Sequence, residues 1–136
     1  MRFVSIFGLA LALTACATSA PTSQTTVSGA SIETLKPGEC GMFGWSTDRR
    51  RDFIFFADAD SARFNGENGP IDLVAQAAFP ALDYLDAEGR TVSLRLGDGE
   101  IMSGGMRYPG ARIVTLTDEG WERLQPVALV RSCQPR

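Results

Sequence analysis

From Cys40 to the end of the chain, apolar residues come in short alternating runs separated by glycine-rich punctuation. No ten-residue stretch there carries a helical stripe, so a core has to be assembled from strands. Thr91 to Leu96 is the clearest case, with Val92, Leu94 and Leu96 alternating against Thr91, Ser93 and Arg95, one face buried and one wet. The same reading predicts strands over Cys40–Trp45, Asp52–Ala57, Ala62–Phe64, Ile71–Phe79, Leu82–Leu85, Ile101–Met106, Arg112–Thr117 and Pro126–Arg131. Within Ile71–Phe79 the alanine-rich sequence is also compatible with a short helix. Asp86-Ala87-Glu88-Gly89 and Thr117-Asp118-Glu119-Gly120 each place a glycine where a hairpin loop needs a left-handed residue. Asn65-Gly66, Asn68-Gly69-Pro70 and Gly97-Asp98-Gly99 supply further turns. Strands recurring every eight to twelve residues predict an all-β domain, a small antiparallel sandwich or barrel.

The chain has 136 residues, room for one domain. Its first part reads differently from the rest. Met1 and Arg2 make a short positive start, and Phe3 to Leu13 is an apolar run interrupted only by Ser5 and Gly8. That run falls well short of the ~20 residues needed to span a bilayer and has the form of an export signal. It ends in Leu13-Thr14-Ala15-Cys16, which resembles the lipobox of bacterial lipoproteins: a leucyl residue, two small residues and a cysteine. The resemblance implies that residues 1–15 are a signal peptide, that the bond before Cys16 is cut, and that Cys16 carries a diacylglycerol thioether, with acylation of its new amine. Two or more acyl chains would hold the protein at a membrane, since each buried CH₂ contributes about 0.8 kcal/mol. Ala17 in place of aspartate implies the outer membrane, with the domain facing the periplasm. Residues 16–31, rich in Ser, Thr and Ala, form the lipidated cysteine and a flexible tether, and 32–136 form the β-rich domain. The stretch Ala111 to Trp121, with Pro126-Val127 through Cys133, resembles the C-terminal part of uncharacterised alphaproteobacterial lipoproteins, which implies the compartment but no activity.

With Cys16 lipidated, Cys40 and Cys133 remain, and an even pair in an exported compartment has one possible pairing. Such a bridge spans 93 positions, a loop length for which chain entropy assigns about 4.7 kcal/mol. A redox pair is disfavoured because the two cysteines form no CxxC and no histidine exists to lower a thiol pKa.

The absence of histidine also removes Ser-His-Asp, Cys-His and histidine-containing zinc sites. Lys36, the single lysine, stands beside Pro37 at the domain's edge and is a poor partner for a Ser-Lys dyad. Asp58-Ala59-Asp60 with Asn65, Glu67 and Asn68 looks superficially like a calcium loop, but Arg63 and Gly69 occupy the places where an EF-hand needs glycine and glutamate. No catalytic, metal or cofactor residue is assigned. The net charge of −3, or −4 after processing, gives no footprint for nucleic acid. Asp48-Arg49-Arg50-Arg51-Asp52 is the one dense charge cluster and reads as a solvated hairpin tip. Phe43, Trp45, Phe53, Phe55, Phe56, Phe64 and Trp121 read as core.

The expectation is therefore a membrane-anchored envelope lipoprotein, a non-enzymatic binding or structural module whose partner is an envelope protein or a glycan. Two alternatives remain open: an enzyme acting on glycans with carboxylates alone, and a small β-barrel that binds a lipid or hydrophobic ligand, which needs an apolar cavity of about 300 Å³ or more.

Overall fold

A computed structural model describes residues 35–136. The expected signal peptide (1–15), Cys16 and the expected tether therefore lie outside the described residues, as do the first residues of the expected domain. Nine strands follow one another: β1 (Cys40–Ser46), β2 (Phe53–Ala57), β3 (Ala62–Gly66), β4 (Gly69–Ala75), β5 (Asp83–Leu85), β6 (Thr91–Arg95), β7 (Glu100–Met102), β8 (Gly105–Leu116) and β9 (Glu122–Cys133). Every pairing is antiparallel. Neighbours in sequence pair in turn except β6 and β7, β8 pairs with β6 as well as with β7 and β9, and β9 pairs with β1, so the sheet closes into a barrel.

β6 and β7 behave as two halves of one broken strand. Arg95 opposes Arg112 and Glu100 opposes Arg107, so both halves run along the same long partner, β8, separated by Gly97-Asp98-Gly99. The wall thus has eight strands with β7 as the extra piece. The expected strand Ile101–Met106 is instead divided by a turn at Ser103-Gly104, with Met102 opposite Gly105. Ile71–Phe79 also needs correction. It is neither a nine-residue strand nor a helix: β4 stops at Ala75, and the loop after it turns back to put Ala81 in the core and Phe79 against it.

Alternation along each strand decides what faces inward. Tyr84, Phe55, Met42, Ile113, Leu129 and Val127 are the largest side chains with under 2% exposure, and they fill the barrel. Gly44 is the close-approach point, where a Cβ would stand 2.8 Å from Val127 Cγ2 and 3.0 Å from Phe55 Cβ. The aromatic residues divide between two faces. Gly44 opposes Phe55 and Trp45 opposes Phe53, so Ile54 is an extra residue, a β-bulge. Ile54 and Phe55 consequently both join the interior, while Phe53 is turned outward to Trp45 and Phe43, with ring centroids 5.5 and 6.5 Å away. Phe56 packs on Phe43 as well, at 5.5 Å. The expected single aromatic core is thus a core containing Phe55 and Phe64 and a separate outer cluster of Phe43, Trp45, Phe53 and Phe56. Trp121 belongs to neither, being 75% exposed beside the β8–β9 turn.

Cys40 and Cys133 form the disulfide, directly opposite each other on β1 and β9. Their end of the barrel also carries the loops 58–61 and 76–82, the turn at 103–104 and both ends of the described chain. The opposite end, the mouth, carries the β1–β2, β3–β4, β5–β6 and β8–β9 hairpin turns.

Candidate functional site

The mouth is shaped by hairpins whose turns bind their own backbone. In the β5–β6 turn, Asp86 Oδ1 accepts from the N–H groups of Glu88 (3.0 Å) and Arg90 (2.8 Å), and Asp86 Oδ2 accepts from Arg90 Nε at 2.7 Å. Gly89 supplies the left-handed residue at φ +77°, and Gly120 does the same at +86° in the β8–β9 turn. Burial alone would push the Asp86 carboxyl up, but the Arg90 N–H, its guanidinium and the Glu88 N–H outweigh burial and hold it below the usual range. Arg90 is shifted up in return, chiefly by its hydrogen bond to Asp86.

The β1–β2 tip is built similarly. Asp48 Oδ1 accepts from Ser46 Oγ at 2.9 Å and from the N–H groups of Arg50 and Arg51, while Ser46 Oγ accepts from the Asp52 N–H. The Ser46 hydroxyl is the main cause that holds the Asp48 carboxyl below its usual value. Arg49, Arg50 and Arg51 form no ion pair within 4 Å among the described residues, as suits a solvated tip.

Between the β3–β4, β5–β6 and β8–β9 turns lies a cleft of about 330 Å³. Phe64, Ile71 and Val92 supply apolar surface to it, and Thr91, Thr115, Thr117, Asn68 and Gln125 supply hydroxyls and amides. Its charges are paired: Arg90 also lies 3.9 Å from Asp118, and Arg123 Nη1 lies close to Glu67 at 2.6 Å. A second hollow of about 730 Å³ adjoins it, between the β1–β2 tip and β9, and Gly66, Glu67, Arg123 and Gln125 line both. A third, of about 250 Å³, lies on the outer wall near Phe53 and Phe56, where Arg63 is engaged by Asp72 at 2.9 Å and Asn65 donates to the Phe53 carbonyl.

Of the site residues singled out in the sequence, Cys40 and Cys133 are brought together and Cys16 lies outside the described residues. The pieces of the calcium-like stretch are kept apart. Asp58 closes a local turn, accepting from the N–H groups of Asp60 and Ser61, at the disulfide end. Glu67 and Asn68 sit at the mouth, at the far end of β3, about 17 Å of strand away. Among the described residues, no group of three or more acidic, cysteine or histidine side chains is placed to hold a metal. The cleft itself was missed by the sequence reading, since its lining comes from three hairpins and no local motif.

Chemically, the cleft offers many hydrogen-bonding groups and few free charges. It does contain neighbouring carboxylates, Asp86 and Asp118, that both lean on Arg90, but Asp86 is shifted in the direction opposite to that of a proton donor. The barrel interior is occupied by core side chains, and the cleft at its mouth is lined mainly by polar groups rather than by the apolar surface a lipid tail requires. Comparison with family models, with curated proteins and with solved structures finds no significant match.

Proposed function

We propose that this chain is a cell-envelope lipoprotein, anchored through Cys16, whose barrel is a non-enzymatic binding module with the mouth as its recognition surface. The observation that carries the reading is Leu13-Thr14-Ala15-Cys16 placed directly after a short apolar run with a positive start. The Cys40–Cys133 bridge supports it, because disulfides persist in exported compartments. The described chain begins at the disulfide end, where Leu35 is buried beside Gly41, so the side from which a tether would arrive is the end opposite the mouth. The location that follows is the outer membrane, facing the periplasm, with the bilayer contacted through acyl chains.

Replacing Cys16 by serine is expected to move the protein from the membrane fraction to the soluble periplasmic fraction. Mass spectrometry of the natural product is expected to find an N-terminal acylated cysteine and no residues 1–15. A variant that still sediments with membranes, or a natural product that keeps Met1, overturns the anchor.

A further inference from the structure

We propose that the mouth cleft and the hollow beside it form one continuous groove that binds an uncharged saccharide chain. This rests on the binding-module reading above and gives it a ligand class. Continuity comes from the register of β9. Ser46 is the last β1 residue with a partner on β9, at Val127, whereas Glu122 to Pro126 pair only with β8. The wall is therefore open for five residues at the mouth, and through this gap the cleft communicates with the outer hollow past the Arg123–Glu67 pair. A sealed pocket selects a ligand of its own size. A trough open at its side accepts a polymer that extends beyond it.

The lining specifies the polymer's chemistry. Four carboxylates, Glu67, Asp86, Asp118 and Glu119, face two guanidiniums, Arg90 and Arg123, so the cleft repels phosphate and carboxylate ligands. Both guanidiniums are already engaged, and an anionic ligand would have to break those pairs. A neutral ligand with many hydroxyl or acetamido groups would not. Thr91, Thr115, Thr117, Asn68 and Gln125 can each donate and accept, and the half-exposed Leu116, with Ile71, offers apolar surface to the C–H face of a sugar ring.

The same gap is a poor site for an extended peptide. A peptide would add to the unpaired edge of β9. Pro126 has no N–H to give there, and Glu122 and Arg123 charge the rest of that edge, the devices by which sheets discourage strand addition.

The test uses the mature full chain carrying Cys16→Ser, titrated calorimetrically with neutral β-linked N-acetylglucosamine oligomers. Saturable binding is expected, with the hexamer about tenfold tighter than the dimer because it reaches from cleft to hollow. Thr115→Val and Gln125→Ala, checked for an unchanged melting temperature, are each expected to weaken binding about fivefold or more by removing hydrogen bonds to the ligand. Affinity is expected to be nearly independent of salt, since no ligand charge is involved. The saccharide assignment is overturned by no saturable binding, by equal affinity for dimer and hexamer, by binding that survives both substitutions, or by a lysine-rich peptide that binds where the oligomers do not. Because the tested protein lacks its acylated cysteine, these outcomes are independent of the anchor, which the fractionation experiment decides separately.

Discussion

At the disulfide end, Cys40 and Cys133 bridge β1 and β9, the loop after β4 buries Ala81, and Tyr84 Oη donates to the Ala81 carbonyl at 2.9 Å. At the mouth, each hairpin is held by its own Asp or Gly, Arg90 and Arg123 are paired with acidic residues in water, and the wall stays open between β1 and β9. One end is fastened by a covalent link between residues 93 positions apart and by a loop that packs into the core. The other is shaped mainly by turns that close within a few residues, and on the proposed reading its surface is the one that meets a ligand. If the mouth is the recognition surface proposed above, this small closed barrel separates stability from recognition along its axis, and perturbing each end is the way to challenge it.

The largest effect is expected from Cys40→Ser or Cys133→Ser. Losing a cross-link over 93 positions should lower stability by about 4.7 kcal/mol in chemical denaturation, while any remaining folded protein keeps the mouth's ligand affinity. Phe55, midway along the barrel and fully buried, comes next: Phe55→Ala is expected to cost about 3–5 kcal/mol. The half-buried outer ring of Trp45 is the control, because its removal leaves no interior cavity and should cost less than half as much. A reversal of that order would mean that the outer aromatic cluster, and not the interior, is the stability core.

At the mouth, Asp86→Asn is expected to cost about 1–3 kcal/mol at neutral pH through weakened hydrogen bonds to the Arg90 and Glu88 N–H groups. Its pH dependence has a definite sign. The folded carboxyl titrates below the ordinary value of 3.8, so its contribution is complete above that value and disappears as the pH falls through the folded pKa. Thermal melts of the two proteins should therefore converge in acid. Tyr84→Phe is the smaller counterpart at the disulfide end, with an expected loss of about 1 kcal/mol. Burial pushes the Tyr84 phenol up to about 12, so an ultraviolet titration should find one tyrosine ionising late, and the substitution should remove that step. The smallest effect is expected for Arg123→Gln, whose exposed pair with Glu67 contributes under about 1 kcal/mol.

Much of the architecture was legible because period-two alternation and turn chemistry are local signals. Thr91–Leu96 gave β6 with its inward Val92 and Leu94, and Gly89 and Gly120 marked the two hairpins that the structure contains. What was not legible depended on register. Strict alternation in Phe53-Ile54-Phe55-Phe56 would put Phe53 and Phe55 on one face, and nothing local announces that Ile54 is a bulge that separates them. Ile101–Met106 misled in the same way, since Ser103-Gly104 folds a hairpin inside a run that scans as one strand. The Cys40–Cys133 bridge could be reached by counting, whereas the cleft could not, because Phe64, Asp86, Thr115 and Arg123 meet only after the barrel has closed.

The last strand sits between β8 and β1, so the cylinder has no partial form with all its rims satisfied. A product that ends before Glu122 would present two adhesive borders, one along β1 and one along β8, and would be prone to stick to its own kind. Closure thus waits for the twelve residues of β9, which in the exported protein proposed above form the last described strand to cross the export machinery before the body can seal.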